Sequence, residues 1–227
     1  MGPYATEELL ACVIARLVGD ARHAAIGAAS PIPAAGAFLR KQEFPSLRVS
    51  LHQKRRANPF SEGSRELFDL AGQGRIDVFF LGGAQIDGEA AINLVRAEGR
   101  RFPGSFGSAF MYPLVPRTIL FREEHSRRTL VPRVEFVSAR GDPAALLTGK
   151  ALFSWQKDKR RFRLESLHSG STQEEIAEQT GFDYDLSPAL HETPPPSARE
   201  LECLRSVVAP QIAAEYPDFA RRVWGLH

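Results

Sequence analysis

The chain has 227 residues, 43% of them hydrophobic and 25% charged, which is ordinary for a globular protein with a sizeable core. Its 29 basic and 27 acidic side chains leave a net charge of +2, too small to argue for a nucleic-acid or membrane partner. No apolar run approaches the roughly 20 residues that span a bilayer, the start lacks a signal-peptide pattern, and two cysteines make no disulfide framework.

In chain order, Leu9, Leu10, Val13, Ile14, Leu17 and Val18 recur at helical spacing, and Thr6 is placed to cap that helix. His23–Gly27 reads as a strand, Ser30–Pro33 as a turn, Ala34–Arg40 as a helix and 47–51 as a second strand. Residues 53–63 are polar, with turn signals at Asn58-Pro59 and Glu62-Gly63. Ser64 starts a short helix through Ala71 that Gly72 ends. Ile76–Leu81 is a run of β-branched and aromatic residues suited to a strand buried on both faces. This strand–helix alternation predicts an α/β fold with an open, mostly parallel sheet and flanking helices.

Further strands are predicted at 91–95, 117–121 and 133–138. Residues 149–155 and 161–167 alternate around Lys157-Asp158-Lys159, as a hairpin does. Ser171 or Thr172 starts a helix through Gln179, with Glu174 and Glu175 where the helix dipole favours them. His191–Ser197 is extended, a helix follows from Ala198 to Val208, Pro210 interrupts it, and 211–223 reads as another helix. One domain over 1–227, with a helical tail from 194, is the expected organisation.

The segment Gly82-Gly83-Ala84-Gln85-Ile86-Asp87, directly after a buried strand, resembles the corresponding stretch of the β subunit of glutaconate CoA-transferase and its relatives in the class I CoA-transferase family. Other segments carry the likeness in the same order: Ala25-Ile26-Gly27, Ala91-Ile92-Asn93, Phe102–Gly107, Glu124–Arg128, Val134–Ser138 and Thr180–Asp185. The resemblance implies a β-type subunit of the sugar-phosphate isomerase/CoA-transferase fold. It would be cytoplasmic, paired with an α-type subunit, and would act on an acyl-CoA thioester, with coenzyme A entering as part of the substrate and no metal.

Two glycine loops are then the expected substrate-binding elements: Gly82, Gly83, Ala84 and Gln85 in the first, Gly104, Ser105 and Gly107 in the second. Backbone N–H groups aimed at a developing oxyanion stabilise it without reorganisation. Gln85 and Asp87 are expected to hold the first loop rather than to react.

The family's nucleophilic glutamate is missing. Its position, in Leu47–His52, holds Ser50 followed by Leu51 and His52. Ser50 and His52 share a strand face but stand about 7 Å apart at roughly 3.3 Å per residue, too far for a nucleophile–base hydrogen bond. Glu43, Glu62 and Glu89 are the nearby acids, and none has a motif behind it. His125 reads as part of a charged turn. The scattered arginine doublets, among them Arg55-Arg56, read as surface or as phosphate contacts. Three functions are compatible with this pattern: CoA transfer; a hydrolysis, such as ring opening of a β-oxoacyl-CoA, with the carboxylate on the α subunit; or a chain that only completes its partner's pocket.

Overall fold

The structure is a computed structural model that describes residues 3–52 and 60–226. The Arg55-Arg56 doublet and the Asn58-Pro59 turn lie outside the described residues. The chain divides into two compact units, residues 1–79 with 195–227, and residues 80–194.

The first unit opens with helix α1 (Thr6–Val18). Its N-cap is Ala5, not Thr6. The Ala5 N–H donates to Glu8 Oε2 at 2.9 Å, so the helix is stapled from its third residue rather than by a hydroxyl. Strand β1 (His23–Ile26) follows, then α2 (Pro31–Glu43). Helix α2 begins earlier than the proline turn suggests, because a proline in the first helical turn gives up no hydrogen bond. Strand β2 (Arg48–Leu51) and helix α3 (Ser64–Gly72) agree with expectation, and β3 (Val78–Leu81) begins in this unit. Both β2 and β3 pair in parallel with β1, with Ala25 opposite Ser50 and Phe79.

Helices α1 and α2 pack closely at Gly36. A Cβ there would stand 2.4 Å from Ile14 Cγ2 and 2.6 Å from the Ala11 carbonyl. Alanine is better than glycine in a helix by about 1 kcal/mol, but overpacking typically costs about 1–3 kcal/mol. Gly36→Ala is therefore expected to destabilise, seen as a lower urea midpoint; an unchanged or raised midpoint would mean the helices separate freely.

The C-terminal segment belongs to this first unit. It runs as α6 (Ala198–Cys203), a π-helical turn (Leu204–Val208) and α7 (Ala209–Glu215) without interruption at Pro210, and the break falls instead at Tyr216, before α8 (Pro217–Trp224). The ladder widens just before Pro210, which has no N–H to give and crowds the preceding turn. The tail is tied to α1 through Glu8, a buried carboxylate that accepts from Arg205 Nε (2.8 Å), Arg205 Nη2 (2.9 Å) and Trp224 Nε1 (3.2 Å). Burial alone would raise the Glu8 carboxyl; the bonds from Arg205 and Ala5 hold it below its ordinary value. Cys12 is buried and Cys203 is only half-buried, and both are free thiols. Burial pushes the Cys12 thiol up to about 12.

The second unit contains strands β4 (Gln85–Asp87) and β5 (Ala91–Asn93), a small hairpin β6 (Arg96–Ala97) and β7 (Arg100–Arg101), and helix α4 (Ser108–Leu114). Then come β8 (Arg117–Arg122), β9 (Leu130–Val131), β10 (Ala139–Arg140), β11 (Ala145–Thr148), β12 (Ala151–Gln156), β13 (Arg161–Leu167), α5 (Gln173–Gln179) and β14 (Asp185–Glu192). Its strands run in the order β14-β13-β12-β11-β8, and a second small sheet has the order β10-β5-β4-β9. Strand β8 is parallel to β11 and β13 to β14, while β11–β12 and the predicted hairpin β12–β13 are antiparallel. Outside the small sheet and the β6–β7 hairpin, the parallel pairs β1–β2, β1–β3, β8–β11 and β13–β14 outnumber the antiparallel β11–β12 and β12–β13, as the α/β reading requires. Thr172 caps α5 as predicted, accepting from the Glu175 N–H at 3.2 Å.

The predicted strand 133–138 is not one; β9 and β10 lie on either side of it. Its backbone donors bond elsewhere. The Val134 N–H goes to Asp87 Oδ2 (3.2 Å) and the Glu135 N–H to Gln85 Oε1 (3.1 Å). Side-chain acceptors on β4 thus replace the ladder. Strands β4 and β14 are the converse, present without an alternation that marks them.

Candidate functional site

The sequence-predicted residues fall into the two units: Ser50 in the first, both glycine loops in the second.

Ser50 sits in β2, one strand over from His23 at the start of β1. Its hydroxyl is 2.8 Å from His23 Nε2, and His23 Nδ1 is 2.9 Å from the Arg75 carbonyl. A carbonyl only accepts, so Nδ1 carries the proton and Nε2 accepts from Ser50. Burial holds the imidazole below its ordinary pKa, hence neutral at pH 7. This is the wiring of a serine–histidine nucleophile, with a carbonyl orienting the base. It is nonetheless enclosed: Ser50 is 0% and His23 5% exposed. His52 stacks on Phe60 with ring centroids 4.9 Å apart. The Ser50 partner comes from a different strand, which no one-strand spacing reveals.

The first glycine loop joins β3 to β4. Gly83 is required by close approach: a Cβ would stand 2.6 Å from the Gln85 carbonyl oxygen and 3.4 Å from that of Asn93. Gly82 is also tight, 3.2 Å from the Phe121 carbonyl. The Ala84 N–H donates to the Asn93 carbonyl at 2.8 Å, so this candidate oxyanion donor already has a partner within the fold.

Gln85 and Asp87 are buried and hold the loop. Asp87 Oδ1 accepts from the Glu89 and Ala91 N–H groups, both at 3.0 Å, and Oδ2 from Val134. Gln85 Oε1 accepts from Asn93 Nδ2 (2.8 Å) and the Glu135 N–H, while its Nε2 donates to Glu135 Oε1 (2.9 Å). Asn93 and Glu135 carry this arrangement, yet sequence reasoning gave neither a role. A polar residue ending the Ala-Ile-Asn strand was the available signal for Asn93; Glu135 had none.

The second loop is differently built. Gly104 has φ +118°, a conformation glycine adopts freely, with open space where a Cβ would be. Ser105 accepts the Ser108 hydroxyl (2.6 Å) and N–H (2.9 Å) on its carbonyl, and Gly107 caps α4. Phe106, between them, is 69% exposed.

Each of the other predicted acids is held in an ion pair. Glu43 pairs with Arg40, Glu62 with Arg65 and Glu89 with Arg140. His125 is not part of the charged turn beside it, where Glu124 binds Arg122, Arg128 and Ser126. Instead it is buried between Thr148 (Nδ1 to Oγ1, 2.8 Å) and Thr180 (Nε2 to Oγ1, 3.0 Å). His168, equally buried, bonds Thr193 (2.8 Å) and the Thr148 carbonyl (3.0 Å). Among the described residues, no three His, Cys, Asp or Glu side chains are grouped to hold a metal.

No protein-family model matches the chain. It is similar to the β-type subunit of the 3-oxoadipate CoA-transferase of Pseudomonas knackmussii, 26% identical over 94% of this chain and 97% of that one. The corresponding subunit of the glutaconate CoA-transferase of Acidaminococcus fermentans is 26% identical over 55% of this chain and 54% of that one. A chain of that enzyme's crystal structure superposes with TM-score 0.80 at 20% identity, covering 94% and 97% of the two chains. A chain of the decarboxylase AibA/AibB superposes with TM-score 0.78 at 26% identity, covering 97% and 99%.

Proposed function

From a chain with the fold of CoA-transferase β-type subunits, and with sequence relatives named as such subunits, we propose the β-type subunit of a hetero-oligomeric CoA-transferase-like enzyme, acting in the cytoplasm with an α-type partner on an acyl-CoA thioester. The glycine loops bind the substrate near its thioester. Negative charge gathers on the thioester oxygen in transfer, hydrolysis and decarboxylation alike, and fixed backbone donors serve all three.

The observation that favours one of these chemistries is the enclosure of Ser50. A group that forms a covalent acyl intermediate must reach the substrate, and Ser50 has no exposed surface and an internal partner. A serine ester would also exchange poorly with CoA, since an alkoxide leaves far less readily than a carboxylate. The reading is therefore reaction without a covalent intermediate on this chain: water attacks the acyl-CoA, as in opening a β-oxoacyl-CoA ring, with an α-subunit carboxylate as general base. A neighbouring structure of this fold named a decarboxylase supports chemistry other than transfer.

The test is the chain co-expressed with its α-type partner, incubated with candidate acyl-CoAs with and without acetate, products read by mass spectrometry. A water-added product or free CoA without acceptor is expected; acceptor-dependent acetyl-CoA would overturn the reading. Ser50→Ala should keep the complex within about threefold of its wild-type rate, where loss of a true nucleophile costs orders of magnitude. Thermal stability should fall, because His23 Nε2 is left buried and unpaired, at about 1–3 kcal/mol.

A further inference from the structure

We propose that Asn93, Gln85 and Glu135 form a positioning relay that locks the first glycine loop to the hairpin leading into the second, so that the backbone lining the substrate site is fixed before substrate arrives. The inference rests on the acyl-CoA reading of those loops and names what sets their geometry.

Asn93 has no exposed surface, and its backbone carbonyl and both polar atoms of its side chain are bonded. Its carbonyl accepts from Ala84, within the first loop. Its Nδ2 donates to Gln85 Oε1 (2.8 Å) and to the Arg96 carbonyl (2.6 Å), and its Oδ1 accepts from the Val95 (3.1 Å) and Arg96 (3.3 Å) N–H groups. One side chain thus joins the first loop to the β6–β7 hairpin. That hairpin runs directly into the second loop, and the Phe102 N–H, just past β7, closes it on the Val95 carbonyl at 2.9 Å.

Glu135 completes the relay from outside. Its Oε1 accepts from Gln85 Nε2 (2.9 Å) and from the Glu98 N–H at the hairpin tip (3.0 Å). The amide of Gln85 is consequently oriented without ambiguity: Nε2 faces a carboxylate, which cannot donate when ionised, and Oε1 faces two N–H donors. Gln85 and Asn93 are buried while Glu135 closes the network from the exposed side, and a polar network with a buried core is stiff when its members are satisfied.

The test uses Gln85→Glu, Glu135→Gln and the double exchange, in the complex with the α-type partner. Gln85→Glu sets two carboxylates face to face where a donor is needed. At pH 7.5 its kcat should fall about 100-fold, the size of losing one oxyanion donor, with KM for acyl-CoA changed less than about threefold. Activity should recover as pH falls and one proton restores the donor between positions 85 and 135. The double exchange returns a donor–acceptor pair, since the new amide at 135 can donate to position 85 and accept from Glu98. It should recover at least about tenfold at pH 7.5.

Hydrogen exchange on the isolated chain gives the second readout: Asn93→Ala should speed exchange at both 82–85 and 95–98 while leaving 6–18 unchanged. A double exchange no better than Gln85→Glu, or exchange that rises at one segment only, would overturn the relay. If the wild-type complex acts on no acyl-CoA, the proposed function fails, and the exchange experiment still decides the coupling by itself.

Discussion

Gly83→Ala is expected to abolish most of the activity of the complex, lowering kcat/KM for an acyl-CoA by at least about 100-fold. The added Cβ would meet the Gln85 carbonyl at 2.6 Å and the Asn93 carbonyl at 3.4 Å. Both are backbone atoms, so no side chain can swing aside to admit it. Relief requires the 82–84 segment to move off Asn93, which breaks the Ala84 to Asn93 bond at the point where the loop is joined to β5. A neighbouring change separates this from general damage. At Gly104 a Cβ meets nothing within 4 Å, and only its φ of +118° resists substitution. Gly104→Ala should cost stability of order 1–3 kcal/mol by strain, without the steric displacement. Steady-state kinetics with urea melts on both variants would check this. A Gly83→Ala enzyme with wild-type kcat/KM would mean the loop does not serve the reaction.

Acid should unfold the protein earlier than its carboxylates alone predict. Burial, reinforced for His125 by the nearby Lys150, pulls His125 down to about 4, and burial pulls His168 down to about 4 as well. Glu175, paired with Lys150, opposes the shift at His125. The sign follows from linkage. An unfolded histidine titrates near 6.5 and the native ones near 4, so between those values the unfolded chain holds protons that the native chain refuses. Stability from these groups is intact above pH 6.5, falls steadily as pH drops towards 4, and levels off below it. A depression of that size is worth about 3 kcal/mol per histidine.

Glu8, Glu124, Glu165 and Glu200 also have lowered carboxyl pKa values and lose stabilisation in acid, but only as the unfolded carboxylates begin to titrate, below about pH 5. The interval from 6.5 to 5 therefore isolates the histidines. Urea unfolding across it should show a slope of roughly 2–3 kcal/mol per pH unit from His125 and His168, to which His23 and His52, lowered by burial as well, add in the same sense. His168→Gln should reduce that slope, at the cost of lower stability at pH 7.5 from the lost Thr193 and Thr148 bonds. Stability flat from pH 7 to 5 would contradict two buried neutral imidazoles.

The same two histidines show where sequence reading stops. His125 stands between Glu124 and two arginines, and local chemistry assigns it to a charged turn. The chain instead turns the imidazole inward, to threonines 23 and 55 residues away. Segment 133–138 has strand composition and is not a strand, because Asp87 and Gln85 supply the acceptors its backbone needs.

What the sequence by itself determined was the local and the periodic. The stripe of α1, the capped α5, the β12–β13 hairpin and the strand before Gly82-Gly83 follow from spacing over a few residues, and the order of short motifs pointed to the CoA-transferase β-type fold. Tertiary structure alone decided the partners. Ser50 meets His23 because β1 and β2 lie in parallel register. Gln85 finds Glu135 across 50 residues, and Asn93 acquires its role only once the Arg96–Arg101 hairpin folds back against it. The physical reason is range: backbone dihedral preference and side-chain periodicity act over one or two turns, whereas a buried polar group is satisfied by whichever element packing brings within about 3 Å.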